Sequence, residues 1–173
     1  MRTEEHITIL KKGGVGVLMT DTIYGIVGSA LSQKTVERIY RVRKRSPDKP
    51  MIILIASQRD LKKFSVVLNK QTSGFLKKIW PGPVSMIMPC KEKRLNYLHR
   101  GTFTLAFRIP KDKRLQDLLK FTGPLVAPSA NIEGMPPATT IEEAYDYFGK
   151  SIDFYEKGKV RKSHPSTLIE IKR

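Results

Sequence analysis

Cysteine is almost absent from this sequence, since Cys90 is the only one in 173 residues. A single cysteine cannot form an intramolecular disulfide or a multi-cysteine metal site, which excludes a disulfide-stabilised fold. Long hydrophobic runs are missing as well: the runs at Met51–Ala56 and Val84–Met88 have the length of strands, far below the ~18 residues of a membrane span. The N-terminus lacks a basic region followed by an apolar stretch. These absences predict a cytoplasmic protein without a membrane segment.

Acidic residues are scarce relative to basic ones, with 16 Asp and Glu against 32 Lys and Arg and a formal net charge of +16. The excess is concentrated in residues 61–132, which hold 14 basic and 3 acidic side chains. A folded surface with this charge attracts the phosphates of a nucleotide or of a nucleic acid, so an anionic partner is expected. The alternative is a general cationic coat that serves only solubility.

The common phosphate-binding loops are also missing. No Gly-x4-Gly-Lys-Ser/Thr segment occurs, and Gly13–Gly16 does not complete a dinucleotide-binding fingerprint. The histidines have no paired spacing with cysteine or carboxylate residues that would suit zinc. If phosphates bind, they must be held by side chains from separate segments of the chain.

Hydrophobic periodicity predicts helices and strands that alternate along the whole chain. The predicted helices cover residues 3–12, 32–44, 69–80, 112–121 and 140–148, with Phe75 and Trp80 in the core. The predicted strands cover residues 15–19, 51–56, 84–88, 102–109, 124–127, 153–155 and 167–171. The length is that of one domain, residues 1–173, and the alternation predicts an α/β fold built on a single sheet. Hairpin-like spacings favour a mixed sheet over a parallel one.

Basic residues cluster in the segment Arg43–Pro50, at the end of the second predicted helix. Arg43 follows Ile39 by four positions, so it lies on the core-facing side of that helix and points inward. The helix dipole favours a cation at this end by only about 0.3–1 kcal/mol, which explains one basic residue but not a cluster. Because guanidinium and ammonium groups both bind phosphate oxygens, the cluster predicts a clamp for a polyphosphate.

Short polar side chains follow two of the predicted strands. Thr20–Thr22 lie in a polar turn that ends at Gly25, and Ser129–Asn131 open a loop rich in glycine, proline and threonine. Such groups either hold a small polar ligand or simply cap the turns. Thr104 and Arg108 share the polar face of one strand, because residues at even spacing point the same way. An arginine that faces inward from a sheet requires an anion.

These segments, in this order, resemble the YrdC-like family of threonylcarbamoyl-AMP synthases. The family's Pro-Thr-Asp/Glu-Thr-Val-Tyr-Gly-Leu block is similar to Met19–Ile26, and its Trp-Pro-Gly-Pro block stands unchanged at Trp80–Pro83. The other similar segments are Arg43–Met51, Leu105–Arg108, Ser129–Asn131 with Gly134–Pro136, and Pro165–Thr167. The resemblance covers residues 14–171.

The resemblance implies a twisted, open, mixed sheet with flanking helices and a basic concave cavity. It implies an L-threonylcarbamoyladenylate synthase, which converts L-threonine, bicarbonate or CO2, and ATP to threonylcarbamoyl-AMP and pyrophosphate for the modification of tRNA adenosine 37. Mg²⁺ is expected to arrive with ATP, without a set of protein ligands for a metal. Further expected partners are a downstream threonylcarbamoyl-transferase complex and tRNA or double-stranded RNA. The alternative is a non-catalytic member of the family that binds RNA in the basic cavity.

The resemblance also assigns roles to individual residues. Arg43 and Arg45 are the expected catalytic cations, and Arg43 stands where the family usually has lysine. Contacts with threonine or its carbamate are expected from Thr22, Arg108, Ala127 and Ser166. Contacts with ATP are expected from Arg45, Lys49, Thr104, Ser129, Asn131 and Pro137. Two departures from the family pattern are Met19, where proline is usual, and Glu133, where serine is frequent.

Overall fold

Short strands and helices alternate along the chain as the periodicity predicts. The structure is a computed structural model and describes residues 2–158 and 165–170. The helices are α1 (Arg2–Lys11), α2 (Gln33–Val42), α3 (Lys70–Ile79), α4 (Asn96–His99), α5 (Lys113–Thr122) and α6 (Ile141–Phe148). The strands are β1 (Val15–Met19), β2 (Tyr24–Ser29), β3 (Ile52–Leu54), β4 (Val84–Pro89), β5 (Thr104–Arg108), β6 (Leu125–Val126), β7 (Phe154–Glu156) and β8 (Thr167–Glu170). Short 3-10 helices cover Gln58–Phe64, Lys93–Leu95 and Gly149–Ser151.

The strands form one eight-stranded sheet in the order β7-β1-β2-β6-β3-β5-β4-β8. The pairs β1–β7, β3–β5 and β4–β8 are parallel, whereas β1–β2, β2–β6, β3–β6 and β4–β5 are antiparallel. The prediction of an α/β fold on a mixed sheet with flanking helices is therefore confirmed. Among the described residues, no helix is long and apolar enough to cross a membrane.

Strand β2 is the main element that the sequence analysis missed. The segment Tyr24–Ser29 contains two glycines, which weaken a strand signal, and the predicted turn extended to Gly25. Gly28 is required by packing, since a Cβ atom there would lie 2.5 Å from the Cγ2 atom of Thr35 on α2. Of the last predicted strand, 167–171, the structure confirms Thr167–Glu170, and Ile171 lies outside the described residues.

The hydrophobic core is divided into two clusters by the sheet. Val17 and Ile53 belong to the larger cluster, while their chain neighbours Leu18 and Leu54 belong to the smaller one, as expected for side chains that alternate across a sheet. Helices α1 and α5 cover the smaller cluster through residues such as Leu10. Within the described part of the chain this cluster takes no residue from β5, β4 or β8. That half of the sheet face therefore carries polar side chains in place of a hydrophobic cluster, and two of them, Ser85 and Arg108, are buried.

Trp80 and Phe75 illustrate how one helix position decides burial. Trp80 is buried and donates a hydrogen bond from Nε1 to the carbonyl of Val84 at 2.7 Å, which confirms its predicted place in the core. Phe75 is 41% exposed, so the same prediction was wrong for this residue. The next residue, Leu76, takes the buried position on α3. Phe75 therefore lies at the edge of the helix surface that packs against the core.

The end of α2 directs the chain toward the candidate site. Ser32 caps the start of this helix, as predicted, by accepting a hydrogen bond from the Thr35 N–H at 3.3 Å. At the other end Lys44 adopts a left-handed backbone conformation with φ of 48°, and the Arg45 N–H donates to the carbonyl of Tyr40 at 3.0 Å. This conformation ends the helix and starts the basic loop 45–50.

Candidate active site

The turn between β1 and β2 is built by its own hydroxyl groups. Thr20 Oγ1 donates to the Ile23 carbonyl at 2.7 Å and accepts from the N–H groups of Thr22 and Ile23, each at 3.2 Å. The hydroxyls of Thr20 and Thr22 lie 3.0 Å apart. The turn-capping interpretation is therefore correct for Thr20, and its effect is to hold Thr22 in a fixed, buried position beside the end of β5.

Arg108, the last residue of β5, forms a buried ion pair with Asp21 of this turn. Its Nη1 atom lies 3.1 Å from Asp21 Oδ1 and donates to Thr22 Oγ1 at 3.3 Å. The other Asp21 oxygen accepts from the Lys111 N–H at 2.8 Å. The Arg108 Nε atom is buried and has no hydrogen-bond partner within residues 2–158 and 165–170. Part of the guanidinium is thus held by protein, while its Nε keeps a donor that the described residues do not use.

Burial lowers the pKa of Arg108, and the nearby Asp21 carboxylate acts in the opposite direction. A guanidinium pKa starts so high that the group stays charged in the neutral range. Removing such a charge from water is unfavourable unless it is paired. Asp21 therefore makes the burial of Arg108 possible, and the sequence analysis did not assign this role to it.

A cavity of about 150 Å³ opens beside Arg108. Six of the predicted site residues line it, namely Thr22, Arg108, Ala127, Ser129, Pro137 and Ser166. Its wall combines one guanidinium with the hydroxyls of threonine and serine side chains, and Ser166 Oγ is fixed at 2.9 Å from Ser85 Oγ. This combination suits a small molecule that carries a carboxylate and a second polar group.

The loop after β6 reaches the cavity because backbone hydrogen bonds fix it against β2. The Ile26 N–H donates to the Pro128 carbonyl and the Ala130 N–H donates to the Tyr24 carbonyl, each at 2.9 Å. Gly25 lies in this contact, where an added Cβ atom would come within 3.1 Å of Thr20 Cγ2. The close approach of the two segments places Ser129 on the cavity wall.

Arg43 points inward, as its helix position predicts, but it does not line the cavity. Its Nε atom donates to the Asn131 carbonyl at 3.0 Å, and Nη2 donates to Asn131 Oδ1 at 3.1 Å and to Ser129 Oγ at 3.3 Å. Burial, together with the repulsion of the nearby Arg45 charge, lowers the pKa of Arg43 to about 10. The guanidinium therefore fixes the Ser129–Asn131 loop through hydrogen bonds without lining the cavity, and Asn131 is its main partner.

Arg45 and Lys49 lie on the loop that follows Arg43. Arg45 Nε donates to the Lys49 carbonyl and its Nη2 donates to the Pro50 carbonyl, each at 3.0 Å, so the loop is curled around this side chain. Lys49 Nζ is 2.5 Å from Glu133 Oε1, and the Ser46 N–H donates to Glu133 Oε2. The hydrogen bond from Lys49 is the main cause that lowers the pKa of Glu133. Glu133 was not predicted from the sequence as a partner of Lys49.

The structure does not bring Thr104 to the cavity. Thr104 begins β5 and Arg108 ends it, and the Thr104 hydroxyl lies 3.2 Å from that of Thr102. Of the predicted ATP residues, Ser129 and Pro137 line the cavity, while Arg45, Lys49 and Asn131 belong to the adjoining loops. In the described part of the chain, no group of three or more His, Cys, Asp or Glu side chains could hold a metal ion.

The fold and this site define an α/β domain with a small cavity lined by an arginine and hydroxyl groups beside a basic loop, an arrangement that suits a small anionic molecule. The chain belongs to the Sua5/YciO/YrdC family, whose model, described as "Telomere recombination", matches residues 8–173.

Two curated relatives that match most of this chain are named threonylcarbamoyl-AMP synthase. The chain is 31% identical to the threonylcarbamoyl-AMP synthase of Pyrococcus abyssi over 164 residues, which cover 94% of this chain and 48% of that relative. It is 30% identical to the threonylcarbamoyl-AMP synthase of Bacillus subtilis, with coverage of 93% and 47%. The chain thus spans about half the length of these curated relatives.

Solved structures agree with the fold. Pyrococcus abyssi Sua5 complexed with L-threonine matches with a TM-score of 0.89 and 28% identity, over 98% of this chain and 51% of that one. Escherichia coli YciO matches with a TM-score of 0.85 over 99% of this chain and 84% of that one, and at 23% identity this match bears on the fold alone.

Proposed function

We propose that this domain is an L-threonylcarbamoyladenylate synthase, a nucleotidyltransferase that consumes L-threonine, bicarbonate or CO2, and ATP. The observation that carries the proposal is the buried Arg108, with its free Nε atom, on the wall of a cavity lined by hydroxyls. The names of the curated relatives and the L-threonine complex of the Pyrococcus abyssi protein support the same choice of substrate. The product would supply the modification of tRNA adenosine 37.

In the proposed complex Arg108 binds the carboxylate of threonine, since a guanidinium and a carboxylate form charge-assisted hydrogen bonds. Thr22 and Ser166 offer hydroxyls to the remaining polar groups, and Ala127 is the proposed contact of the amine that becomes the carbamate. Asp21 keeps the guanidinium oriented by its ion pair at 3.1 Å. It is therefore a positioning residue for the substrate-binding arginine.

The proposed chemistry needs little from the protein beyond placement and charge. The threonine amine takes up CO2 and loses a proton to give a carbamate. A carbamate oxygen attacks the α-phosphorus of ATP, a new P–O bond forms, the α–β bridging P–O bond breaks, and pyrophosphate leaves with that electron pair. Positioning of the two reactants and neutralisation of phosphate charge are the effects that accelerate such a transfer.

Arg45 and Lys49 are the proposed phosphate contacts, with Ser129 and Pro137 on the shared wall between nucleotide and threonine. Arg43 and Asn131 are proposed as positioning residues, because the Arg43 guanidinium does not line the cavity and donates to the carbonyl and Oδ1 of Asn131 at 3.0 and 3.1 Å. Mg²⁺ is proposed to arrive on the triphosphate. Within the described residues, no group of three or more His, Cys, Asp or Glu side chains is available to hold it.

The test is product formation by the purified chain. Incubation with ATP, bicarbonate and L-threonine is expected to release pyrophosphate and to give threonylcarbamoyl-AMP by mass spectrometry. Omission of threonine is expected to abolish the release, and serine, which lacks the methyl group, is the comparison substrate. A folded protein that releases no pyrophosphate above the threonine-free control contradicts the proposal.

RNA contact and a downstream transferase complex remain proposals about partners. The net charge of +16 supports an interaction with tRNA or double-stranded RNA in addition to the synthesis. Affinity for RNA is expected to fall steeply with salt, because each phosphate contact releases a counterion. The non-catalytic alternative would require such binding together with failure of the product assay.

A further inference from the structure

The basic loop 45–50 already has an anion bound to it, and that anion is part of the chain. The carboxylate of Glu133 accepts a hydrogen bond from Lys49 Nζ at 2.5 Å through Oε1, and its Oε2 accepts from the backbone N–H of Ser46. Its own backbone N–H donates to the Arg43 carbonyl at 2.8 Å. Glu133 thus joins loop 45–50 to the loop that carries Ser129 and Asn131.

The two donors around Glu133 are the kind that bind a phosphate. An ammonium group and a backbone N–H directed at the same anion form a common phosphate-binding arrangement. A carboxylate, with two oxygens that share one negative charge, can stand in for two of the oxygens of a phosphate. The hydrogen bonds from Lys49 and from the Ser46 N–H lower the pKa of Glu133, and the charges of Lys49 and Arg45 act in the same direction, so the group is an anion at neutral pH.

The contact lies near the surface and can exchange. The Lys49 side chain is 57% exposed and that of Glu133 is 25% exposed. An ion pair this exposed contributes little to stability, because water solvates both charges and salt screens them. A ligand with several negative charges therefore competes effectively for Lys49.

We propose that Glu133 is a built-in competing anion, which occupies the phosphate position formed by Lys49 and the Ser46 N–H and leaves it when a polyphosphate arrives. This inference rests on the proposed function, since it takes Lys49 as a phosphate contact. With the site empty, the carboxylate keeps the two loops together. After the reaction its return to Lys49 weakens the hold on pyrophosphate and favours release of that product.

The proposal predicts that one substitution in the binding site raises the affinity for pyrophosphate, whereas most substitutions in a binding site lower the affinity for the ligand. Glu133→Gln keeps the size of the side chain and an oxygen that can accept from the Ser46 N–H, but it removes the charge that competes for Lys49. The affinity for inorganic pyrophosphate is expected to rise about two- to fivefold, the range that corresponds to the measured strength of exposed ion pairs. A purely structural role for Glu133 predicts the opposite, a weaker affinity.

Asp48 provides a matched control on the same loop. Its carboxylate is bound by the Ser46 hydroxyl rather than by Lys49, so Asp48→Asn removes the same charge without freeing the phosphate position. A gain well below that of Glu133→Gln is expected for this variant. In the background Lys49→Gln, the additional change Glu133→Gln is expected to give no gain, because the competition needs the ammonium group.

The experiment is calorimetric titration of inorganic pyrophosphate into the wild-type chain and these variants at low salt, after thermal unfolding has shown that each is folded. If Glu133→Gln does not fold, Glu133→Ser takes its place. Unchanged or weaker affinity of the Glu133 variant, or an equal gain in Asp48→Asn, overturns the inference while the proposed function stands. Absence of pyrophosphate binding in all the proteins overturns the inference together with the phosphate contacts of the proposed function.

Discussion

Arg108 and Arg43 are both almost completely buried, with exposures of 3% and 2%, yet their surroundings differ. Arg108 is paired with a carboxylate and lines a cavity, whereas Arg43 donates to the neutral oxygens of Asn131 and Ser129 and does not itself line that cavity. Each guanidinium keeps one buried nitrogen without a hydrogen-bond partner in the described residues. Access to the cavity, rather than burial or an unused donor, is therefore the feature that distinguishes Arg108, the proposed ligand-binding arginine, from Arg43, the proposed positioning arginine.

The surroundings of Arg43 and the cavity beside Arg108 are connected through one residue, Ser129. Ser129 lines the cavity that Arg108 faces, and its hydroxyl accepts a hydrogen bond from Arg43 at 3.3 Å. A change at Arg43 should therefore reach the cavity only through the position of the Ser129–Asn131 loop. Substitutions at Arg108 and at Arg43 should therefore differ in their effects on stability and on ligand binding.

The largest effect on stability is expected for Arg108→Met. This change leaves the Asp21 carboxylate buried and without its cation, and breaking a buried pair in this way costs about 3–5 kcal/mol. The free energy of unfolding from a urea titration is the measurement. The double variant Asp21→Asn with Arg108→Met removes both charges and is expected to recover most of the loss. If the single and double variants are equally unstable, the Asp21 charge is not what Arg108 balances.

The next effect is on turnover and belongs to the basic loop. Arg45→Ala removes a cation proposed to stabilise the phosphates in the transition state, and a decrease in kcat/KM of about 100-fold is expected. The free energy of unfolding should change by less than about 1 kcal/mol, although the contacts with the Lys49 and Pro50 carbonyls are lost.

Arg59→Ala is the matched control for Arg45. Arg59 is an exposed arginine on the 3-10 helix Gln58–Phe64, and its substitution should leave both turnover and stability nearly unchanged. Equal, small effects of the two alanine variants on turnover would show that loop 45–50 is an ordinary solvated surface.

Arg43→Met is expected to have a smaller effect on stability than Arg108→Met and a smaller overall effect than the loss of turnover in Arg45→Ala. Methionine replaces only the aliphatic part of the arginine side chain, and Asn131 loses two hydrogen bonds that Arg43 donates. The cost of buried acceptors without partners gives about 1–3 kcal/mol of destabilisation, again measured by urea unfolding. Destabilisation as large as that of Arg108→Met would remove the distinction between the two arginines.

Much of the fold could be predicted from periodicity and capping, because these are local properties. The inward direction of Arg43 followed from its distance to Ile39 on one helix, and Ser32 was a correct helix cap. Strand β2 could not be predicted, since its two glycines carry no strand signal and are required only by contacts with other elements. The position of β6 between β2 and β3 likewise depends on pairings between distant parts of the chain.

In the candidate site, too, local features could be predicted, whereas contacts between distant segments could not. Thr22 was singled out by its polar turn after a strand and Arg108 by its place on the polar face of another strand, and the structure places both on one cavity. Their connection through Asp21 was not predicted, although this residue stands between two predicted hydroxyls, because the pair joins segments far apart in sequence. Glu133 was missed for the same reason: its partner Lys49 lies 84 positions away.

Calorimetric titration of L-threonine tests the difference between the two arginines most directly, using proteins whose folding the unfolding curves have established. We expect Arg43→Met to bind L-threonine within about threefold of the wild-type affinity, since its guanidinium does not line the cavity. The double variant Asp21→Asn with Arg108→Met is expected to bind at least about tenfold more weakly, because a charge-assisted hydrogen bond is lost. Near wild-type affinity in the double variant, or loss of binding in Arg43→Met alone, would contradict the assignment of Arg108 as the residue that binds the carboxylate.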